Sequence, residues 1–176
     1  MWTAQRRFMA TDAYMVGRDG PFSAKPHLQD RVDRPFPALW APHSVWLSCD
    51  ATLAVTYGVV RSRRLPGRFA RFVTVWRLAD GEYRWEVEFA GPLGVPDVPD
   101  PDPVPRHLPD CGSAQPVESG AAKLSAGLLE GASNDGTLTY IVELLATGER
   151  RFQASFAEGE GYVQVVELSS DRFVEN

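Results

Sequence analysis

The sequence predicts an α+β domain dominated by antiparallel sheet, and three observations predict it. Runs of β-branched and aromatic residues broken by turn residues extend from Val45 to Phe89 and recur from Thr137 to Leu168. The helical patterns are short and precede the strands. The chain of 176 residues is 44% hydrophobic, 11% aromatic and 23% charged, enough to build a sizeable core and too apolar for a disordered polypeptide.

In chain order, Trp2 to Ala10 reads as a short helix with Thr3 as its N-cap, the hydroxyl accepting from an unpaired amide of the first turn. Asp12 to Val16 reads as a brief strand. After Gly17 and Gly20, Ser23 to Arg31 reads as a second short helix, whose continuation Pro35, Pro37 and Pro42 prevent. Strands follow at Val45 to Cys49 and Leu53 to Val60, joined across Asp50-Ala51, and at Phe69 to Leu78 after a turn at Leu65-Pro66-Gly67. Ala79-Asp80-Gly81 signals a hairpin, because Gly tolerates the positive φ of a tight turn. In the fourth strand Tyr83, Trp85, Val87 and Phe89 fall on one face and Arg84, Glu86 and Glu88 on the other, which predicts a buried side and a wet side.

Residues 92 to 109 carry a proline at nearly every second or third position and read as a semi-rigid linker. Within it Asp97, Asp100 and Asp102 lack the Gly turn and terminal Glu of a calcium loop and read as solvated. Ala121 to Glu130 reads as weakly helical or disordered. Strands at Thr137 to Leu145, Arg151 to Ala157 and Tyr162 to Leu168 form a three-stranded C-terminal meander. Such a ribbon is marginal alone, so it packs on the first sheet or adds to its edge. Asp50-Ala51-Thr52-Leu53 resembles Asp135-Gly136-Thr137-Leu138, and GEYRWEVEF resembles EGYVQVVEL. A true repeat and a chance likeness between two meanders both remain open. The organisation is then a first domain over 1–91, a linker over 92–116 and the meander over 117–176.

Charge and motif content exclude several function classes. With a net charge of -5, a pI near 5.2 and basic residues scattered apart from Arg61, Arg63 and Arg64, the chain is a poor match for nucleic acid. No stretch approaches the roughly 20 apolar residues of a membrane span, and the N-terminus lacks the apolar run of a secretory signal, so the chain as written reads as cytoplasmic. His27, His43 and His107 have no second ligand at i+3 or i+4, so no metal is expected. Neither a GxSxG elbow nor a Gly-rich phosphate loop is present, and no cofactor is expected. Cys49 and Cys111 have neither knuckle nor CxxC spacing, which leaves two thiols or a single disulfide.

The segment VWLSCDATLAVTYGV, followed by GRFARFVTVWRLADGEYRWEVE, resembles the sheet of the SnoaL-like superfamily, relatives of polyketide cyclases and ketosteroid isomerase. The resemblance rests most specifically on Phe72-Val73-Thr74-Val75-Trp76-Arg77 and Asp80-Gly81-Glu82-Tyr83-Arg84-Trp85, is strongest for a bacterial branch of unknown function, and covers about the first ninety residues. It implies a cone: a curved antiparallel sheet wrapped around short helices to enclose an apolar pocket. The family's long first helix has no counterpart here, which implies a start upstream of Met1 and, from the exported look of similar members, a periplasmic or exported protein with Cys49 bonded to Cys111.

The fold hosts many unrelated functions, so the function expected is coarse. The leading expectation is a non-enzymatic domain that binds a small apolar ligand and self-associates through its sheet. The alternatives are a cofactor-free isomerase or cyclase working by acid–base catalysis, and a structural envelope protein whose C-terminal meander is the interaction surface. Within the aromatic set Trp40, Trp46, Tyr57, Trp76, Tyr83 and Trp85, most rings read as core of a bent sheet, and Trp40, Tyr57, Trp76 and Trp85 are the pocket candidates, Tyr57 and Trp76 foremost. An isomerase needs a carboxylate base beside an oxyanion donor. Asp12 and Tyr14, two apart on a strand, are the candidates. The family's oxyanion tyrosine lies on the helix that has no counterpart and is not carried over.

Overall fold

The computed structural model describes residues 1–33, 35–36, 38–61, 69–95, 99–114, 116–117 and 120–170. The expected turn at Leu65-Pro66-Gly67, Arg63 and Arg64, and Asp97 lie outside these residues. The chain opens with α1 (Trp2–Arg7), β1 (Met9–Gly17), β2 (Gly20–Ser23) and α2 (Ala24–Gln29). Next come β3 (Leu39–Leu47), β4 (Leu53–Arg61), β5 (Phe69–Ala79) and β6 (Glu82–Val95). After the short β7 (Arg106–His107), the remaining strands are β8 (Lys123–Ser125), β9 (Leu128–Ala132), β10 (Leu138–Leu144), β11 (Arg150–Glu158) and β12 (Gly161–Ser170). The protein is sheet-rich α+β, built largely of antiparallel strands.

One sheet has seven strands in the order β2-β1-β6-β5-β4-β3-β7, and a second has five in the order β12-β11-β10-β9-β8. In the first, the β1–β6 and β3–β7 pairs are parallel. The second contains the three expected strands and two more. Lys123–Ser125 and Leu128–Ala132, expected to be helical or disordered, form a hairpin. Ala126 and Gly127 turn it with φ of 48° and 84°, and Leu129 anchors it in the core.

The two sheets pack face to face. Leu53, Val55, Val73, Val75, Val87 and Phe89 on the back of the first sheet form one buried cluster with Leu138, Tyr140, Val142, Phe152, Ala154 and Leu168 of the second. The front of the first sheet carries the helices: Ala24 and Leu28 of α2 pack with Ala13 and Trp85, joined by Trp2 and Trp76. Neither six-residue helix has the length to persist alone. Tertiary bonds hold them: the Arg6 guanidinium donates to the Leu28 and Arg31 carbonyls at 2.9 and 2.7 Å, closing the end of α2. Thr3 is not the cap expected of it: it lies inside α1, whose N-cap position is Met1, two residues earlier, with no side-chain cap bond.

A β-bulge decides what the front face presents. On β5, Val75 and Trp76 are successive, but their partners on β6 are Val87 and Trp85, leaving Glu86 as the extra residue. Trp85 therefore faces front, Glu86 and Val87 both face back, and Glu88 faces front again. The expected alternation, with Trp85 and Val87 on one side and both glutamates wet on the other, fails for this reason. Glu86 and Glu88 are buried, at 4% and 8% exposure, on opposite faces.

The likeness between the two halves is structural. The bulge recurs on β12, where Ala154 and Ser155 face Val166 and Gln164. Ser48-x-Asp50-x-Thr52-Leu53 and Ser133-x-Asp135-x-Thr137-Leu138 form matching turns: each Ser Oγ donates to its Asp and accepts from its Leu amide, and each Thr amide and hydroxyl donates to its Asp. Tyr83 donates to the Ala51 carbonyl as Tyr162 does to that of Gly136. The turns also interlock, Cys49 N donating to Thr137 Oγ1 and Asn134 N to Thr52 Oγ1. A pseudo-twofold therefore relates β3 to β6 with β9 to β12.

Candidate functional site

The front face of the first sheet carries a hollow of about 390 Å³ between α1 and strands β3 to β6. That volume lies within the roughly 300–1,000 Å³ of small-molecule pockets. Its floor is a strand surface: Thr56 of β4, Phe72, Thr74 and Trp76 of β5, and Trp85 and Glu88 of β6. Its walls are Trp40 and Pro42 of β3 and Gln5 and Phe8 at α1.

Local sequence explains each wall. A Cβ at Gly58 would stand 2.1 Å from the Ala41 carbonyl oxygen and 2.8 Å from Pro42 Cα, so only glycine lets β3 approach β4 here. That approach sets the Trp40 ring edge-on to Phe72, at 4.9 Å between centroids. On the other side Trp85 holds α1 twice, its amide donating to the Phe8 carbonyl and its indole to that of Gln5, both at 2.8 Å. The helix is thereby fixed above Glu88. Trp76 is fixed by an indole bond to Thr56 Oγ1 at 3.0 Å, and Thr56 Oγ1 donates onward to the Thr74 carbonyl.

Glu88 is the ionisable group in this apolar setting. The Gln5 side-chain amide donates to both carboxylate oxygens, at 3.1 and 2.9 Å. Burial raises its carboxyl from 4.5 to about 7, against a smaller lowering by the Gln5 bond. The Gln5 carbonyl oxygen, Oε1, is itself buried without a partner. Glu86, two residues earlier, contrasts with it. Arg77 grips Glu86 with bonds of 2.6 and 2.9 Å, and the Tyr140 hydroxyl donates to it at 2.9 Å.

Of the expected pocket residues, Trp40, Trp76 and Trp85 line the hollow together. Tyr57 does not. It lies on the back face, packed against the inter-sheet core with Arg71 over its ring, because alternation along β4 turns it away from Thr56. Asp12 is exposed and Tyr14 packs against the inter-sheet core, so neither reaches the hollow and the pair does not form a catalytic couple. Glu88 and Gln5 were not foreseen. Glu88 shares its strand with Glu82 and Glu86, so nothing in the sequence singles it out, and helix residue Gln5 gives no signal either.

Other polar candidates lie elsewhere. His43 pairs with Asp100 at 3.0 Å, and Arg61 meets the same carboxylate at 2.8 Å. His107 stacks on Trp46. Among the described residues no group of His, Cys, Asp or Glu is arranged to hold a metal ion, and no helix is long and apolar enough to cross a membrane. Cys49 and Cys111 are disulfide-bonded, with Cα atoms 5.6 Å apart, which ties the proline-rich segment to the β3–β4 turn.

No family model matches the chain, and neither the curated proteins nor the solved structures contain a match to it.

Proposed function

We propose that the chain is a SnoaL-like domain that binds one small, flat, largely apolar molecule in the hollow beneath α1, without a cofactor. The observation that carries this reading is the set of three indoles, Trp40, Trp76 and Trp85, around one space floored by a single carboxylate. The short helices α1 and α2 on one face of a sheet built largely of antiparallel strands support the family assignment and its cone-shaped hollow, although a two-stranded hairpin, β1–β2, stands between them. The Cys49–Cys111 bond supports an oxidising, exported setting. The second sheet covers the back of the first, which leaves the front face and the strand edges for self-association.

The test is a titration of indole fluorescence with a neutral bicyclic aromatic, 1-naphthylmethanol. Saturable binding to the wild type that Thr74→Phe removes, by filling the floor, supports the reading. Absence of saturable binding to the wild type overturns it.

A second reading, acid–base isomerisation or cyclisation, is favoured by one observation: Glu88 is held by a side-chain donor and titrates near 7. It ranks second because the Thr56 hydroxyl and the Trp76 and Trp85 indoles, donors at the hollow, are already engaged within the chain. Thr56 Oγ1 joins Thr74 and Trp76, and the Trp85 indole is bound to Gln5. Deuterium incorporation into β-tetralone from D2O, faster with wild type than with Glu88→Gln, would support it. Equal rates would sink it.

A further inference from the structure

Strand β6 buries two carboxylates two residues apart, and the chain treats them differently. Glu86 faces the inter-sheet core with its countercharge built in, the bidentate Arg77. Glu88 faces the hollow, 8% exposed, and Gln5 is its hydrogen-bond partner among the described residues. A carboxylate accepts about four hydrogen bonds, so Glu88 retains acceptor capacity toward the hollow.

Among the described residues, the charged groups around it are engaged elsewhere. On α1, Arg6 binds the Leu28 and Arg31 carbonyls and Arg7 lies over the Phe8 ring. The Met1 amine is paired with Asp33 at 2.8 Å. Arg77 and Arg71 of β5 serve Glu86 and Tyr57 on the opposite face. A buried carboxylate with no internal cation is costly unless a partner arrives.

We propose that the missing partner is the ligand's own cation, so that the hollow selects a flat aromatic molecule bearing a protonated amine. This rests on the small-molecule reading of the same hollow and names the class of ligand. The ammonium group would meet Glu88 at the floor, and the indole faces of Trp76, Trp85 and Trp40 suit a cation as well as an apolar ring. The raised carboxyl of Glu88 fits this view, since a cation beside it would restore the ionised form.

The experiment compares two probes of one shape, 1-naphthylmethylamine and 1-naphthylmethanol, by calorimetry at pH 8 on wild type and Glu88→Gln. The amine is expected to bind wild type at least about tenfold more tightly than the alcohol. In Glu88→Gln that preference disappears, the amine falling to within about twofold of the alcohol measured on the same variant. If the alcohol binds wild type and the amine gains nothing, the amine proposal is overturned and the pocket stands. A preference that survives in Glu88→Gln overturns it equally. If neither probe binds wild type, the pocket reading itself fails.

Discussion

Asp50 and Asp135 each accept a hydrogen bond from the other's backbone amide, at 2.9 and 2.8 Å, across 85 residues of sequence. The bond pair is the centre of the interlocked turns, and it joins the two sheets at one end. Asp135→Ala removes the acceptor for Ser133, Thr137 and Asp50, and a loss of about 2–3 kcal/mol is expected in urea denaturation. A double-mutant cycle with Asp50→Ala is expected to show coupling of about 1 kcal/mol or more. Additive losses would mean that the turns act independently.

The same carboxylate sets an acid limit. Burial pushes the Asp135 carboxyl up, but bonds from the Ser133 hydroxyl, the Thr137 amide and hydroxyl and the Asp50 amide outweigh it, so it lies below its ordinary 3.8. A lowered folded value stabilises above 3.8 and is lost as pH falls through the folded value. Stability is expected to drop below about pH 4 in the wild type, and Asp135→Asn is expected to flatten that drop.

Glu88 has the opposite sign. Its folded value of about 7 exceeds the ordinary 4.5, so the folded state binds more protons between those limits and stability falls as pH rises from 4.5 to 7. Above 7 the cost is complete, about 3 kcal/mol. Glu88→Gln is therefore expected to raise stability by up to that amount at pH 8 and to leave it unchanged at pH 4. Denaturation curves at the two pH values test the prediction, and an equal gain at both would refute it.

Arg77→Met should behave unlike Glu88→Gln. It leaves Glu86 buried without its countercharge and frees the Gly120 and Ala132 carbonyls that the same guanidinium binds. Breaking a buried pair in this way costs about 3–5 kcal/mol. Tyr140→Phe, which removes the hydroxyl's bond to Glu86 and leaves the Arg77–Glu86 pair in place, is expected to cost about 1 kcal/mol.

Replacing both Cys49 and Cys111 by Ser opens a loop of 62 residues. Chain entropy predicts a loss of about 4 kcal/mol. Because the front-face hollow contains neither cysteine, probe affinity is expected to hold under conditions where the variant is folded.

The central strands were legible because Val, Thr and aromatic residues cluster between unambiguous turns: β4, β5 and the hairpin at Asp80-Gly81 stand within a residue or two of expectation. Trp40, Trp76 and Trp85 were legible as rings sharing one side of the sheet, and they line one hollow there. The facing of Glu86 and Glu88 was not. One inserted residue leaves no mark in composition, yet it reverses every assignment on one side of it. Tyr57 was misplaced because strand alternation shows which residues share a side but not which side is which. β8 and β9 were hidden because Ala121 to Glu130 is short, Gly-containing and rich in helix formers, and pairing with β10 outweighs that local preference.

The closed back of the first sheet means that this chain carries its own lid for a surface that would otherwise be sticky. A fragment ending at Val95 would bare Val55, Val73, Val75, Val87 and Phe89 beside the Glu86 carboxylate, and such a greasy plane would clump or clasp a sister fragment. The C-terminal strands keep the intact molecule from that fate, and they free its opposite side to deal with the outside world.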